Sequence, residues 1–138
     1  MTLHQLLIQA RHILLDFDGP TCAVFAGAVS ASAAAQRLAV TLRDHGVDLT
    51  PDAEQTADPF RHLYTAARHG REHAAFAEAA LRDLEVEAVA TAPISPGALD
   101  TLTALAASGR TATIVSNNSV AAVTAFADRY ALHRYLNG

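Results

Sequence analysis

The stretch ILLDFDGPTC, Ile13 to Cys22, climbs an apolar run and then sets two carboxylates, Asp16 and Asp18, one residue apart beside a glycine. A short apolar run closed by turn residues, here Asp18-Gly19-Pro20, reads as a strand buried on both faces. About a hundred residues on, TATIV (Thr111 to Val115) is rich in β-branched residues and reads as a second buried strand running into SNNS, Ser116 to Ser119.

Between the two strands the texture is helical. Ala31, Ala34, Ala35, Leu38 and Leu42 recur on one face and are closed by Gly46. Thr50-Pro51 and Asp58-Pro59 each offer a capping side chain with proline at the first helical position. Phe60, Leu63, Tyr64 and Ala67 form the next stripe, stopped near Gly70, and Phe76, Ala80, Leu81 and Leu84 the one after. Ser95-Pro96 is then expected to cap a helix carrying Leu99, Leu102 and Leu105, and Ser119 or Asn118 one carrying Val120, Val123, Ala127 and Tyr130. Leu3, Leu6, Leu7 and Ala10 suggest a short helix ahead of the first strand. Two strands flanking a crossover imply a parallel α/β sheet with its chemistry at the carboxyl ends of the strands.

The chain of 138 residues reads as one domain carrying a large insertion. Its 51% apolar content is dominated by alanine, with only 6% aromatics, so helix is expected to exceed strand. The net charge of −4 gives no reason to expect a nucleic-acid partner. Cys22 is the single cysteine, which suits a reducing compartment. The opening MTLHQLLIQARH does not read as a signal peptide, and no run approaches a membrane span, so a cytoplasmic protein is expected with no membrane partner.

A carboxylate at a strand end can attack phosphorus and divide a hard displacement into two steps. Its neighbour can protonate the leaving oxygen and then deprotonate water. A hard cation such as Mg2+ takes oxygen ligands and offsets repulsion between acids and a phosphate. Gly19 permits a backbone in which amides approach a phosphoryl oxygen. Ser116 supplies a hydroxyl at the entry to a helix, a good place for an anion.

LLDFDGP followed by TIVSNN resembles the haloacid dehalogenase superfamily of hydrolases, most of which are magnesium-dependent phosphatases. The resemblance covers essentially the whole chain. It implies a Rossmann-like parallel sheet core, residues 1–21 and 93–138, with an inserted α-helical cap over residues 22–92. It also implies a small phosphorylated substrate, Asp16 as nucleophile and magnesium ligand, and Asp18 as general acid/base and second ligand. Ser116, with Asn117 beside it and Gly19 in the acid loop, would hold the phosphoryl group. Pro20 stands where the family usually has threonine or valine, with Thr21 displaced by one position.

Two further family motifs have no counterpart. All ten basic residues are arginine, so the lysine that neutralises the phosphoaspartyl group is missing. The only acid after Ser116 is Asp128, within an expected helix, where the family has an acidic pair on a later strand. An arginine such as Arg129 or Arg134 is a planar fork and no simple replacement for lysine. The core is therefore expected to be incomplete, with an exposed sheet edge open to pairing with a second copy. The rival expectation is a truncated or degenerate domain that binds phosphate or a phosphometabolite without turnover. Within the cap, Arg61 and Arg68 lie seven apart and are candidates for gripping an anionic substrate, although such clusters are more often solvated faces. His69 and His73 have the i,i+4 spacing of a metal pair, but Gly70 is expected to break the helix between them.

Overall fold

The computed structural model describes residues 1–137. The helices are α1 (Leu3–Gln9), α2 (Ala31–Asp44), α3 (Pro51–Glu54), α4 (Phe60–Arg68), α5 (Arg71–Val89), α6 (Ala98–Ala107) and α7 (Val120–Arg129). The strands are β1 (His12–Leu15) and β2 (Thr111–Ile114), and a 3-10 turn spans Leu132–Tyr135.

The expected Rossmann-like sheet core is overturned. Among the described residues the chain has seven helices, is 56% helical, and holds a parallel sheet of only two strands. The physical reason lies in composition. Two runs of four residues, HILL and TATI, form the ladder, while the alanine-rich remainder follows its helical propensity. Nor is β1 buried on both faces. His12 and Leu14 are exposed and Ile13 and Leu15 half-buried, the alternation of a sheet with one face open.

The chain divides into two compact units, Met1–Ala23 with the residues from Pro93 onward, and Val24–Ala92. In the first, β1 and β2 pair in register from His12 with Thr111 to Leu15 with Ile114. The far edge of β2 is bridged by Leu136, and the Asn137 N–H donates to the Ala112 carbonyl at 2.7 Å. β1 has no second strand neighbour among the described residues. The buried side chains of this unit include Phe17, Leu102, Ala112, Phe126 and Leu132.

The second unit is helical throughout, from α2 to α5. Leu38 and Leu42 of α2 pack with Leu81 and Leu84 of α5 around Val47 and Ala66. Local chemistry sets the helix ends. Ser30 accepts the Ala33 N–H, Thr50 accepts the Ala53 N–H ahead of Pro51, and Asp58 accepts the Phe60 N–H at 3.0 Å. Gly70 sits at φ +119°, in the left-handed half of backbone space, and separates α4 from α5 as its position suggests.

His62 lies at the heart of this unit, fully buried, and neither ring nitrogen has a hydrogen-bond partner among the described residues. Burial pushes its imidazole below the ordinary 6.5, against weaker opposing pulls from the Ala35 carbonyl and the Asp58 charge. A base whose folded pKa is depressed binds fewer protons folded than unfolded, so folding is favoured above the unfolded value. Stability of the helical unit is therefore expected to fall as pH drops below about 6.5 towards the depressed folded value. Thermal melts followed by circular dichroism at pH 7.5 and 5 check this. His62→Leu should lose a smaller part of its stability across that interval than the natural chain. An equal loss in both would put the pH dependence on other groups.

Candidate active site

Beyond Leu15 the first unit turns sharply. The Phe17 ring is fully buried, and its carbonyl accepts the N–H groups of both Thr21 and Cys22, at 3.2 and 2.9 Å. The loop between them puts Asp16, Asp18, Gly19 and Pro20 in solvent. The Phe17 N–H donates to Asp16 Oδ1 at 2.6 Å, which fixes that carboxylate and leaves Oδ2 as its outward atom. The Thr21 hydroxyl donates to the Asp16 carbonyl at 2.9 Å, so the threonine displaced by Pro20 still braces the loop.

Gly19 adopts φ +112°, strained for any other residue although a Cβ there would meet nothing within 4 Å. Its N–H donates to the Cys22 carbonyl at 2.8 Å, so this amide is spent on the turn. Its carbonyl accepts the Ser95 hydroxyl at 2.5 Å. Ser95 was expected to cap a helix. Instead α6 starts after Gly97 without a side-chain cap, and Ser95 ties the acid loop to the segment before α6. Nothing local in Ser95-Pro96 foretells a partner 76 residues away.

The second strand ends at the same end of the sheet, because β1 and β2 are parallel and Leu15 pairs with Ile114. The Val115 N–H donates to the Leu15 carbonyl at 2.9 Å, the last rung before both chains turn. The Ser116 hydroxyl donates to Asn118 Oδ1 at 3.0 Å and accepts the Asn118 N–H at 3.0 Å. Ser116 is half-buried, Asn117 exposed and Asn118 buried, and the Ser119 hydroxyl caps α7 by accepting the Ala122 N–H at 3.3 Å.

The C-terminal half of α7 closes around the acid loop. Phe126 meets Phe17 edge-to-face, with centroids 5.4 Å apart, and the Tyr130 hydroxyl accepts the Ile94 N–H at 3.2 Å. Ile94 in turn bridges Cys22. Cys22 is buried, and burial first, then the Asp18 charge, push its thiol up to about 12, with an opposing pull from Arg129. A thiol so placed is protonated and inert at neutral pH. Arg129 is therefore near enough to Cys22 for its charge to be felt there, a placement that helix periodicity alone does not reveal.

Asp16 and Asp18 offer the hard oxygen donors that Mg2+ prefers, and this ion is commonly held by one or two carboxylates with water completing its shell. The residues fit it on that footing. Among the described residues no group of three or more His, Cys, Asp or Glu side chains could hold a metal ion.

Arg61 and Arg68 both stand exposed on α4 in the helical unit, and neither has an ion-pair partner among the described residues. His69 and His73 do fall on either side of a helix break at Gly70, their rings 6.1 Å apart. The His69 Nε2 lies 3.1 Å from the Asp48 carbonyl. Among the described residues no helix is long and apolar enough to cross a membrane.

Compared with known proteins, the chain matches no family model, no curated protein and no solved structure.

Proposed function

We propose that the chain hydrolyses phosphate monoesters of small metabolites through an aspartyl-phosphate, in the manner of the haloacid dehalogenase superfamily. The observation that carries this reading is the exposed Asp-x-Asp loop after β1, with Asp16 oriented by the Phe17 N–H, at the strand end that also carries Ser116.

Asp16 Oδ2 attacks phosphorus and forms the aspartyl-phosphate while the bond to the leaving oxygen breaks. Asp18 gives that oxygen its proton, then takes one from the water that attacks phosphorus and releases inorganic phosphate, regenerating Asp16. Ser116, Asn117 and the start of α7 offer donors to the phosphoryl oxygens. To serve, the Ser116 hydroxyl must exchange its bond to Asn118 for one to the substrate. Mg2+, held by Asp16 and Asp18, supplies charge neutralisation for the phosphoryl group.

Turnover is expected to be slow. A missing preorganised donor commonly costs about a hundred- to a thousandfold in rate, and this chain has no lysine to fill that role. The same absence favours a second reading, a domain that binds phosphate or a phosphometabolite without turnover. Measuring phosphate release from a panel of small esters, with and without Mg2+, beside calorimetric binding of inorganic phosphate, separates the two. Release that depends on Mg2+ supports the hydrolase. Binding without release supports the binding domain. Finding neither release nor binding would overturn both readings.

The open edge of β1 favours self-association through that edge, and the lone, buried, unpaired Cys22 suits the reducing cytoplasm.

A further inference from the structure

A cleft of about 320 Å3 opens in the first unit where β2, α7 and the C-terminal 3-10 turn meet. That volume is at the small end for sites that take small molecules. Its walls are mainly apolar, with Ile114, Val123 and Leu136 among them, and no arginine or acidic side chain lines it. A charged ligand group would find no fixed counter-charge there, and a polyhydroxylated one would bury hydroxyls without partners, at a cost for each.

The polar groups that line the cleft are few, and their bonding narrows what they can take. Ser116 already gives its proton to Asn118 and receives another from the Asn118 main chain. The His133 Nε2 stands 2.6 Å from Asp128 Oδ1. A carboxylate there only accepts, so Nε2 donates to it and is spent on that bond. The Thr124 hydroxyl has no protein hydrogen-bond partner among the described residues, so it is available to a ligand. The open Thr124 hydroxyl can both donate to and accept from a ligand hydroxyl.

We propose that this cleft is a binding site for a compact, uncharged molecule with an apolar body and one hydroxyl, an aliphatic alcohol or a phenol. The cleft shares Ser116 with the proposed phosphate site, but the proposal does not require phosphate chemistry at Asp16, since the ligand carries no phosphate.

Phenol is the probe, titrated into the full chain while the methyl resonances of Ile114, Val123 and Leu136 are followed by NMR. Saturable shifts of those methyls are expected with phenol, and none with glycerol or benzoate at the same concentration. Thr124→Val, an isosteric change at an exposed position, is expected to weaken phenol about tenfold, the cost of roughly one hydrogen bond. Val123→Phe, which fills the cleft, is expected to abolish the shifts at Ile114 and Leu136. Should Val123→Phe disturb the fold, the Thr124→Val comparison decides alone. Absence of saturable shifts with phenol overturns the proposal, as does equal binding of glycerol. Shifts that follow protein concentration without any ligand also overturn it, because a second copy would then fill the cleft.

Discussion

Asp16→Asn is expected to remove phosphate release from the chain, down to the rate of the uncatalysed background. An amide is no nucleophile toward phosphorus, yet it has the shape of the carboxylate and keeps an oxygen to accept the Phe17 N–H at Oδ1. The loop should therefore keep its geometry, and unchanged circular dichroism would show that chemistry alone was lost. Asp18→Asn gives a graded result. A general acid/base contributes about a hundred- to ten-thousandfold, and most of that is lost with a poor leaving group that needs a proton. An activated aryl phosphate needs none, so Asp18→Asn should still form the acyl-phosphate from it and then accumulate it. Trapping a phosphorylated peptide that contains Asp16 from Asp18→Asn, and none from Asp16→Asn, would establish the division of labour. If Asp16→Asn retains its rate, the nucleophile assignment is wrong, and the binding reading takes its place only if calorimetry still finds phosphate bound.

The acid loop and the second strand end could be read from sequence because each is a local event. An apolar run stopped by Asp-x-Asp-Gly, and a β-branched run stopped by Ser-Asn-Asn, declare strand ends within a few residues. The caps at Thr50 and Ser119 are equally local and fall where the pattern places them. What misled was extent. Two strands around a crossover suggest a Rossmann-like sheet, but sheet width depends on how many runs form strand, and among the described residues only HILL and TATI do. The same extrapolation made β1 a strand buried on both faces, whereas Leu14 is 64% exposed. Long-range placement was the other blind spot. Neither the Ser95 bond to Gly19 nor the influence of Arg129 on Cys22 leaves a trace in local periodicity.

Phe126→Ala is expected to be the most damaging single change to the fold of the site-bearing unit. The ring is fully buried, edge-to-face on Phe17 and tilted against Tyr130 at 4.6 Å. Removing a buried phenylalanine costs about 3–5 kcal/mol, because the lost transfer energy is joined by that of a cavity the neighbours cannot fill. Domains of this kind have roughly 5–15 kcal/mol in all, so the loss takes a large share of what holds the unit together. It also strikes at function. Phe17 sits between Asp16 and Asp18, and its carbonyl holds the turn through Thr21 and Cys22, so a ring freed of its partner loosens both acids. Phe126→Leu should cost far less, since a bulky apolar side chain still covers Phe17. Denaturant unfolding should show a large fall in midpoint for alanine and a small one for leucine, with faster amide exchange at Thr21 and Cys22 in the alanine variant. Equally small falls for the two would mean that the Phe126 contact is not what pins the acid loop, and that the loop's own hydrogen bonds to Phe17 suffice.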